Sequence, residues 1–235
     1  MQQDNATQIF NDNWNIYRKL VQYNYMYHQE LGEQLLIAIK RLNPPEGIKM
    51  LDLGCGDASQ LTEHLASIQI ASYKGYDMSA PALALAAKDL PAITPVFELL
   101  EGDMQQLLQA EENLFDVIYS SFAIHHLQDA GKKNLLQQCY KHLAKDGIMV
   151  YTDIFRSTGQ SREAYIDSYF KKIETDWVLL SEFEKQLVRD HVAAYDFPAV
   201  WEDSIEWMKD AGFAIEHSYQ PDGLHGAIVA KKVDG

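Results

Sequence analysis

From Asn13 to Lys40 apolar residues recur at three- and four-residue steps, first Trp14, Tyr17, Leu20, Val21 and Tyr25, then Leu31, Leu35, Leu36 and Ile39. That period puts them on one helix face, so the segment reads as two amphipathic helices closed by Pro44, Pro45 and Gly47. The period then changes. Residues 49–53 form a short apolar run punctuated by Gly54 and Gly56, and Leu61, Leu65 and Ile68 restore the helical step, which reads as strand, glycine turn, helix. The unit recurs: strand 72–76 with helix 79–88, strand 96–101, strand 115–120 with helix 132–143, and strand 147–153. Strands alternating with helices predict a parallel sheet covered on both faces through right-handed crossovers. Beyond it, 161–194 is helical and rich in large residues (Tyr165, Tyr169, Phe170, Trp177, Phe183), and a further helix over 201–210 ends at Gly212. Residues 214–219 and 226–231 flank Pro221, Asp222 and Gly223 and predict an antiparallel hairpin at one sheet edge.

The expected architecture is therefore α/β, a doubly wound and mostly parallel seven-stranded sheet with a C-terminal antiparallel hairpin. It is read as one domain over 1–235: a helical cap (1–45), a cofactor-binding core (46–154), a helical lid (155–199) and a closing helix and hairpin (200–235). A length of 235 residues with 47% hydrophobic residues suits a single core of ordinary size. The formal net charge of −14 repels phosphate backbones and anionic membranes, so nucleic acid and membrane are not expected partners. Cys55 and Cys139 lie too far apart for a C-x-x-C pair, which fits a reducing, cytoplasmic compartment. The polar start, Met1 to Ile9, lacks an apolar leader, and no stretch approaches the roughly 18 apolar residues of a membrane span. A soluble, unprocessed protein is the expectation, and the sequence leaves its oligomeric state open.

In open parallel sheets, ligands bind at the carboxyl ends of the strands where strand order reverses, and a glycine turn there lets backbone approach the ligand. The run Leu51-Asp52-Leu53-Gly54-Cys55-Gly56-Asp57 holds that position. A dinucleotide site would seat a pyrophosphate at the following helix start, where the Asp57 carboxylate competes with it. Asp77 closes the second strand at the distance where an acidic side chain accepts the ribose hydroxyls of an adenosine cofactor, which taken alone also fits NAD. With these residues in place the resemblance becomes specific. Leu51 to Gly56 resembles the first motif of class I S-adenosylmethionine-dependent methyltransferases, Gly75-Tyr76-Asp77-Met78-Ser79 the second-strand motif, and Glu101-Gly102-Asp103-Met104 the motif ending the third strand. Phe115 through Leu127, with Ser120-Ser121-Phe122-Ala123-Ile124-His125-His126, is similar to the fourth-strand motif of small-molecule members, and Leu143 to Ile148 precedes the fifth strand as in that family.

The resemblance implies S-adenosylmethionine as cofactor and S-adenosylhomocysteine as product. It further implies that Asp52, Gly54, Cys55 and Gly56 line the methionine portion, Asp77 holds the ribose, and Met78 packs on adenine. Asp103 would accept from the adenine amino group, Met104 offer its backbone amide, and Ser120 and Phe122 lie near the methionine end. Ala58 stands where the family often has a third glycine and brings a methyl group where backbone and ligand run close. Asp52 and Asp77 also have a purely structural reading, as caps or solvated strand ends.

His125, His126 and Asp153 are the catalytic candidates: an imidazole near the methyl group takes a proton from the nucleophile, and Asp153 orients an amine or hydroxyl. The bland alternative is a pair of histidines satisfied by backbone and solvent, with Asp153 capping its strand. Tyr17 and Arg18 on the cap are candidates for the methionine carboxylate. The amino-methylating nucleic-acid enzymes carry Asn or Asp, two prolines and an aromatic after the fourth strand, where this chain has Ser120-Ser121-Phe122-Ala123. Metal-dependent catechol-type enzymes use carboxylates at the ends of the fourth and fifth strands; only Asp153 is available, so no metal is expected. Two cysteines do not build the usual iron–sulfur cluster of radical chemistry. The expected substrate is a small, partly apolar molecule, and two other classes stay open: a nicotinamide oxidoreductase, and a non-catalytic module that keeps the adenosyl-cofactor pocket and uses the 161–194 face for a partner.

Overall fold

The computed structural model describes residues 14–42, 44 and 46–233. The polar start, Asn13, Pro45 and the first part of the expected cap lie outside the described residues. The two cap helices are Trp14–Gln22 (α1) and His28–Ile39 (α2). The sheet contains β1 (Ile48–Leu53), β2 (Ile70–Asp77), β3 (Phe97–Glu101), β4 (Phe115–Ser121), β5 (Leu143–Arg156), β6 (Ala199–Val200), β7 (Phe213–Tyr219) and β8 (His225–Lys232). Their order is β3-β2-β1-β4-β5-β8-β7, with β1 to β5 parallel and both β5–β8 and β7–β8 antiparallel. The seven long strands are those read from the sequence, and the hairpin inserts β8 beside β5, leaving β7 at the edge. The eighth, β6, has two residues and pairs parallel to β5 through Phe155 and Arg156, beyond the predicted end of that strand. A strand that short has no period to detect.

The helices are α3 (Ser59–Leu65), α4 (Ala80–Asp89), α5 (Met104–Gln109), α6 (Asp129–His142), α7 (Arg162–Asp176), α8 (Glu182–Tyr195) and α9 (Trp201–Asp210). Strands buried on both faces read as continuous apolar runs because alternate side chains enter opposite layers. Met50, Tyr73, Val117 and Val150 face one core with Leu35, Ile39, Leu61 and Leu65. Leu51, Leu53, Ile118 and Met149 face the other with Leu135, Leu136 and Met208. The register sets Asp52 beside Gly75 and Leu53 beside both Tyr76 and Ser120, so β1, β2 and β4 end level. Successive crossovers run from β1 toward β3 on one side and from β4 toward β5 on the other, so the reversal falls between β1 and β4.

A third apolar cluster joins cap to lid over this edge, with Leu20, Met26 and Leu31 against Phe122, Tyr165, Tyr169, Ile173 and Trp177. Tyr25 stacks on Trp177 with centroids 5.3 Å apart, and its hydroxyl accepts the Leu179 N–H at 2.9 Å. Lys19 reaches Glu184 at 2.5 Å. The lid is two helices rather than one stretch, because α7 stops at Trp177 and Ser181 starts α8 with a capping box to Glu184.

Candidate active site

After β1 the chain turns through Gly54 and Gly56, with φ of 75° and 54°, the left-handed region that glycine enters without cost. A Cβ on Gly54 would stand 2.3 Å from Ala123 Cβ, and one on Gly56 2.9 Å from Trp14 Cη2, so neither position accepts a side chain. The Gly54 and Cys55 amides donate to Tyr76 O at 2.8 and 3.0 Å. The Gly56 amide donates to Asp77 Oδ2 and the Ser79 amide to Asp77 Oδ1, both at 2.8 Å. Turn and strand end are thereby one rigid unit. Ala58 shares the left-handed conformation at φ 55°, which costs an alanine about 1 kcal/mol relative to glycine. At the α3 start, Asp57 Oδ1 accepts the Ser59 amide at 3.1 Å and hydroxyl at 2.7 Å, so a carboxylate fills the place a pyrophosphate would take.

A cavity of about 380 Å³ opens on this unit, a size within the range of small-ligand sites. Of the residues singled out from the sequence, Tyr17, Asp52, Gly54, Cys55, Gly56, Asp77, Met78, Asp103, Met104, Phe122 and His126 line it. Burial pushes Asp52 up to about 7 despite a 2.8 Å hydrogen bond from the Tyr73 hydroxyl. Burial likewise raises Asp77, against the pull of the Ser79, Gly56 and Met78 amides. Asp103 caps α5, accepting the Gln105 and Gln106 amides at 2.8 and 3.1 Å. Met78 is 38% exposed beside the cavity, apolar surface that a flat ring would cover.

Four candidates lie elsewhere. Arg18 is exposed and outside the cavity lining. Ser120 is fully buried and donates to Leu53 O at 2.8 Å, while its strand neighbours Tyr119 and Ser121 face the cavity. His125 borders a second, mostly apolar cavity of about 100 Å³, and Asp153 is buried behind it. Asp153 Oδ2 accepts the His125 amide at 2.9 Å and its Oδ1 meets Nδ1 at 2.5 Å. Burial opposes charge on His125, yet Asp153 and Asp196 prevail and raise its pKa. Tyr17, Phe122, His126 and His191 line both cavities, so the two communicate. Burial, then His125 and His191, holds His126 well below the usual histidine range.

Trp14, His28, Tyr119, His191 and Asp196 also line these spaces and were not singled out. Trp14 and Tyr17, three residues apart on α1, were read as one apolar face; that spacing was the available signal. His28 is buried with neither ring nitrogen hydrogen-bonded, and burial, reinforced by His225 and His64, takes it down to about 3.

Residues 50–147 match the family described as methyltransferase domain. Trans-aconitate 2-methyltransferase of Deinococcus radiodurans is 34% identical over 102 residues, 43% of this chain and 36% of that protein. Phosphoethanolamine N-methyltransferase of Plasmodium falciparum is 29% identical over 111 residues, 46% of this chain and 39% of that protein. The chain thus spans about two fifths of the length of these curated relatives. The fold resembles that of magnesium protoporphyrin IX methyltransferase from Synechocystis, solved with bound S-adenosylhomocysteine: TM-score 0.67 and 13% identity, covering 98% of this chain and 100% of that one.

Proposed function

We propose that the protein transfers a methyl group from S-adenosylmethionine to an oxygen, nitrogen or carbon nucleophile of a small, partly apolar molecule, a reading supported by the match of residues 50–147 to the methyltransferase-domain family and by the likeness of the fold to that of a solved methyltransferase. The observation that carries this reading is the joined turn and strand end. Two glycines admit close approach, Asp77 is locked beside them by two backbone amides, and Asp57 fills the helix start against a phosphate. Each Asp77 oxygen already accepting one N–H has a second lone pair, which suits a pair of vicinal ribose hydroxyls. The bound cofactor would supply a methyl carbon made electrophilic by a sulfonium. Transfer is an in-line displacement in which the nucleophile bonds to that carbon as the carbon–sulfur bond breaks with its electron pair going to sulfur, so positioning is the main task.

Asp52 faces the methionine ammonium, Asp103 the adenine amino group, and Met78 the adenine face. Tyr17 and Phe122 separate the cofactor end from the apolar second cavity, which takes the acceptor. His126, neutral near pH 7, has a lone pair at that junction for the acceptor's proton. The packed cap and lid exclude water from the reaction. Among the described residues no helix is long and apolar enough to cross a membrane.

The interaction-module alternative draws on Val178, Leu179 and Phe183, which are 70%, 59% and 72% exposed. These mark the turn between the lid helices, whereas Tyr165, Tyr169, Ile173 and Trp177 point inward, so the exposed apolar surface is a tip rather than a face. Calorimetry with S-adenosylmethionine, S-adenosylhomocysteine and NAD on the native chain and Asp77→Ala tests the reading. Binding of both adenosyl compounds, lost in the variant and without NAD heat, is expected. NAD binding alone would overturn the reading in favour of the oxidoreductase, and silence from all three would overturn it outright.

A further inference from the structure

In the wall of the second cavity, beside the His126 and His191 that line both cavities, Asp196 is 4% exposed and its Oδ1 has no hydrogen-bond donor among the described residues. A buried carboxylate oxygen left this way is costly. Three imidazole nitrogens surround it: His125 Nε2 at 3.5 Å, His126 Nδ1 at 3.7 Å and His191 Nε2 at 3.7 Å. One ligand atom each from His125, His126 and Asp196 lies within 4.8 Å of the others. We propose that His125, His126 and Asp196 bind a divalent transition-metal ion of the zinc type, which leaves a coordination position open to an oxygen of the acceptor.

The separations favour an ion over a shared proton. A charged N–H···O⁻ bond closes to about 2.7–2.9 Å, as His125 does on its Asp153 side at 2.5 Å. Ligand atoms about 2.0–2.2 Å from a tetrahedral metal stand roughly 3.3–3.6 Å apart, close to the spacing around Asp196 Oδ1. The tautomer agrees. The short contact to Asp153 commits the Nδ1 proton of His125, so Nε2, which faces Asp196, is the nitrogen left to give up a proton and ligate an ion. A carboxylate that fixes the outer nitrogen of a ligating histidine is the usual support of such a site. His126 Nδ1 also lies 3.2 Å from Tyr195 O, a long contact that the ion displaces, moving the ring proton to Nε2. Lys132 and Arg162 bear on the cluster as opposing charges, countered by the carboxylates of Asp153 and Asp196.

The sequence argument against a metal weighed carboxylates at the ends of β4 and β5. These ligands come from the turn after β4 and from the end of the lid, 71 residues on. Three protein ligands with one open position is the pattern of a catalytic rather than a structural zinc. The consequence for methyl transfer rests on the reading above. An acceptor hydroxyl held at the open position would lose its proton to solvent as the acceptor binds, and its oxygen would then bond to the methyl carbon as the carbon–sulfur bond breaks with its electron pair going to sulfur, with His126 serving as ligand instead of base.

The test does not depend on turnover. The chelator-treated full chain is titrated with zinc(II) by calorimetry and with cobalt(II) by visible absorption, in parallel with S-adenosylhomocysteine binding. One equivalent of metal is expected, with intense tetrahedral-type cobalt bands, weakened about a hundredfold or more in Asp196→Asn and in His126→Gln and about 10–100-fold in Asp153→Asn. His142→Gln, at the half-buried end of α6 beside Asn113 and remote from these ligands in sequence, should match the native chain. Absence of metal binding to the native chain overturns the proposal, as does unchanged affinity in either ligand variant with a native circular dichroism melt. His126 is half-buried, so that variant decides if Asp196→Asn does not fold. Metal binding without adenosyl binding would uphold this site and overturn the function above; the reverse pattern would do the opposite.

Discussion

Replacing Asp52 by asparagine should remove a pH dependence from cofactor binding that the native chain shows below neutrality. The carboxyl is buried, accepts the Tyr73 hydroxyl at 2.8 Å, and is pushed up to about 7, so it is half ionised near neutral pH. If the ionised form pairs with the methionine ammonium, affinity follows the ionised fraction, about one half at pH 7 and about 3% at pH 5.5, a fall of roughly fifteenfold. S-adenosylhomocysteine is the better probe, because it carries the same ammonium without a reactive sulfonium. The asparagine amide still accepts from Tyr73 and keeps the volume, so calorimetry on the variant should give weaker binding that is flat over this range. A native profile as flat as the variant's, or two profiles falling in parallel, would refute the assignment.

Stability moves the other way. The folded-state value exceeds the unfolded value of about 3.9, so between these two pH values the folded chain binds the extra proton and this group's contribution declines as pH rises. At pH 8 the ligand-free native chain bears a cost of up to about 4 kcal/mol that Asp52→Asn relieves, visible as a higher melting temperature for the variant.

The remaining expectations concern the turn and its neighbours. Gly54→Ala puts a methyl 2.3 Å from Ala123 Cβ at a φ of 75° and should cost about 3 kcal/mol, lowering the melting temperature by roughly 10 °C; an unchanged melt would refute the packing described. Asp77→Ala leaves the Gly56 and Ser79 amides without their acceptor and should weaken S-adenosylhomocysteine about a hundredfold, so a loss under tenfold would remove it from the ribose site. Ser120→Ala removes a buried hydrogen bond worth about 1 kcal/mol and should leave cofactor affinity within about twofold. A tenfold loss of affinity there would mean that Ser120 reaches the cofactor after all.

How far the sequence foretold the molecule can be followed at individual residues. The core strands and their helices were legible because two-sided burial writes continuous apolar runs between amphipathic periods, and the glycine turn stood out because no other residue takes φ of 75° and 54° without strain. Ser120 shows where a motif stops being informative. It was placed in the right neighbourhood, but successive side chains leave a strand on opposite faces, so Tyr119 and Ser121 meet the cavity while Ser120 turns into the protein. Helix α5 escaped notice, since a six-residue helix shows too little of its period, and its Asp103 cap resembles ordinary punctuation after a strand. His191 and Asp196 were invisible for a different reason: only tertiary packing brings residues this distant in sequence around one oxygen.

The same distinction separates the two ends of the site. The turn, Asp77, Met78 and Asp103 all fall within residues 50–147, the stretch that matches the methyltransferase-domain family. Of the second cavity's walls only Phe122, His125 and His126 fall in that range; Ile16, Tyr17, Leu20 and Met26 come from the cap, and Tyr169, Trp177, His191 and Asp196 from the lid and its exit. The glycine turn of the first cavity therefore belongs to the matched stretch, and most walls of the second cavity to segments outside it. The walls of the second cavity are apolar on most sides and gather three imidazoles around one carboxylate, which would suit the largely apolar acceptor proposed above if it presents one oxygen to the proposed ion.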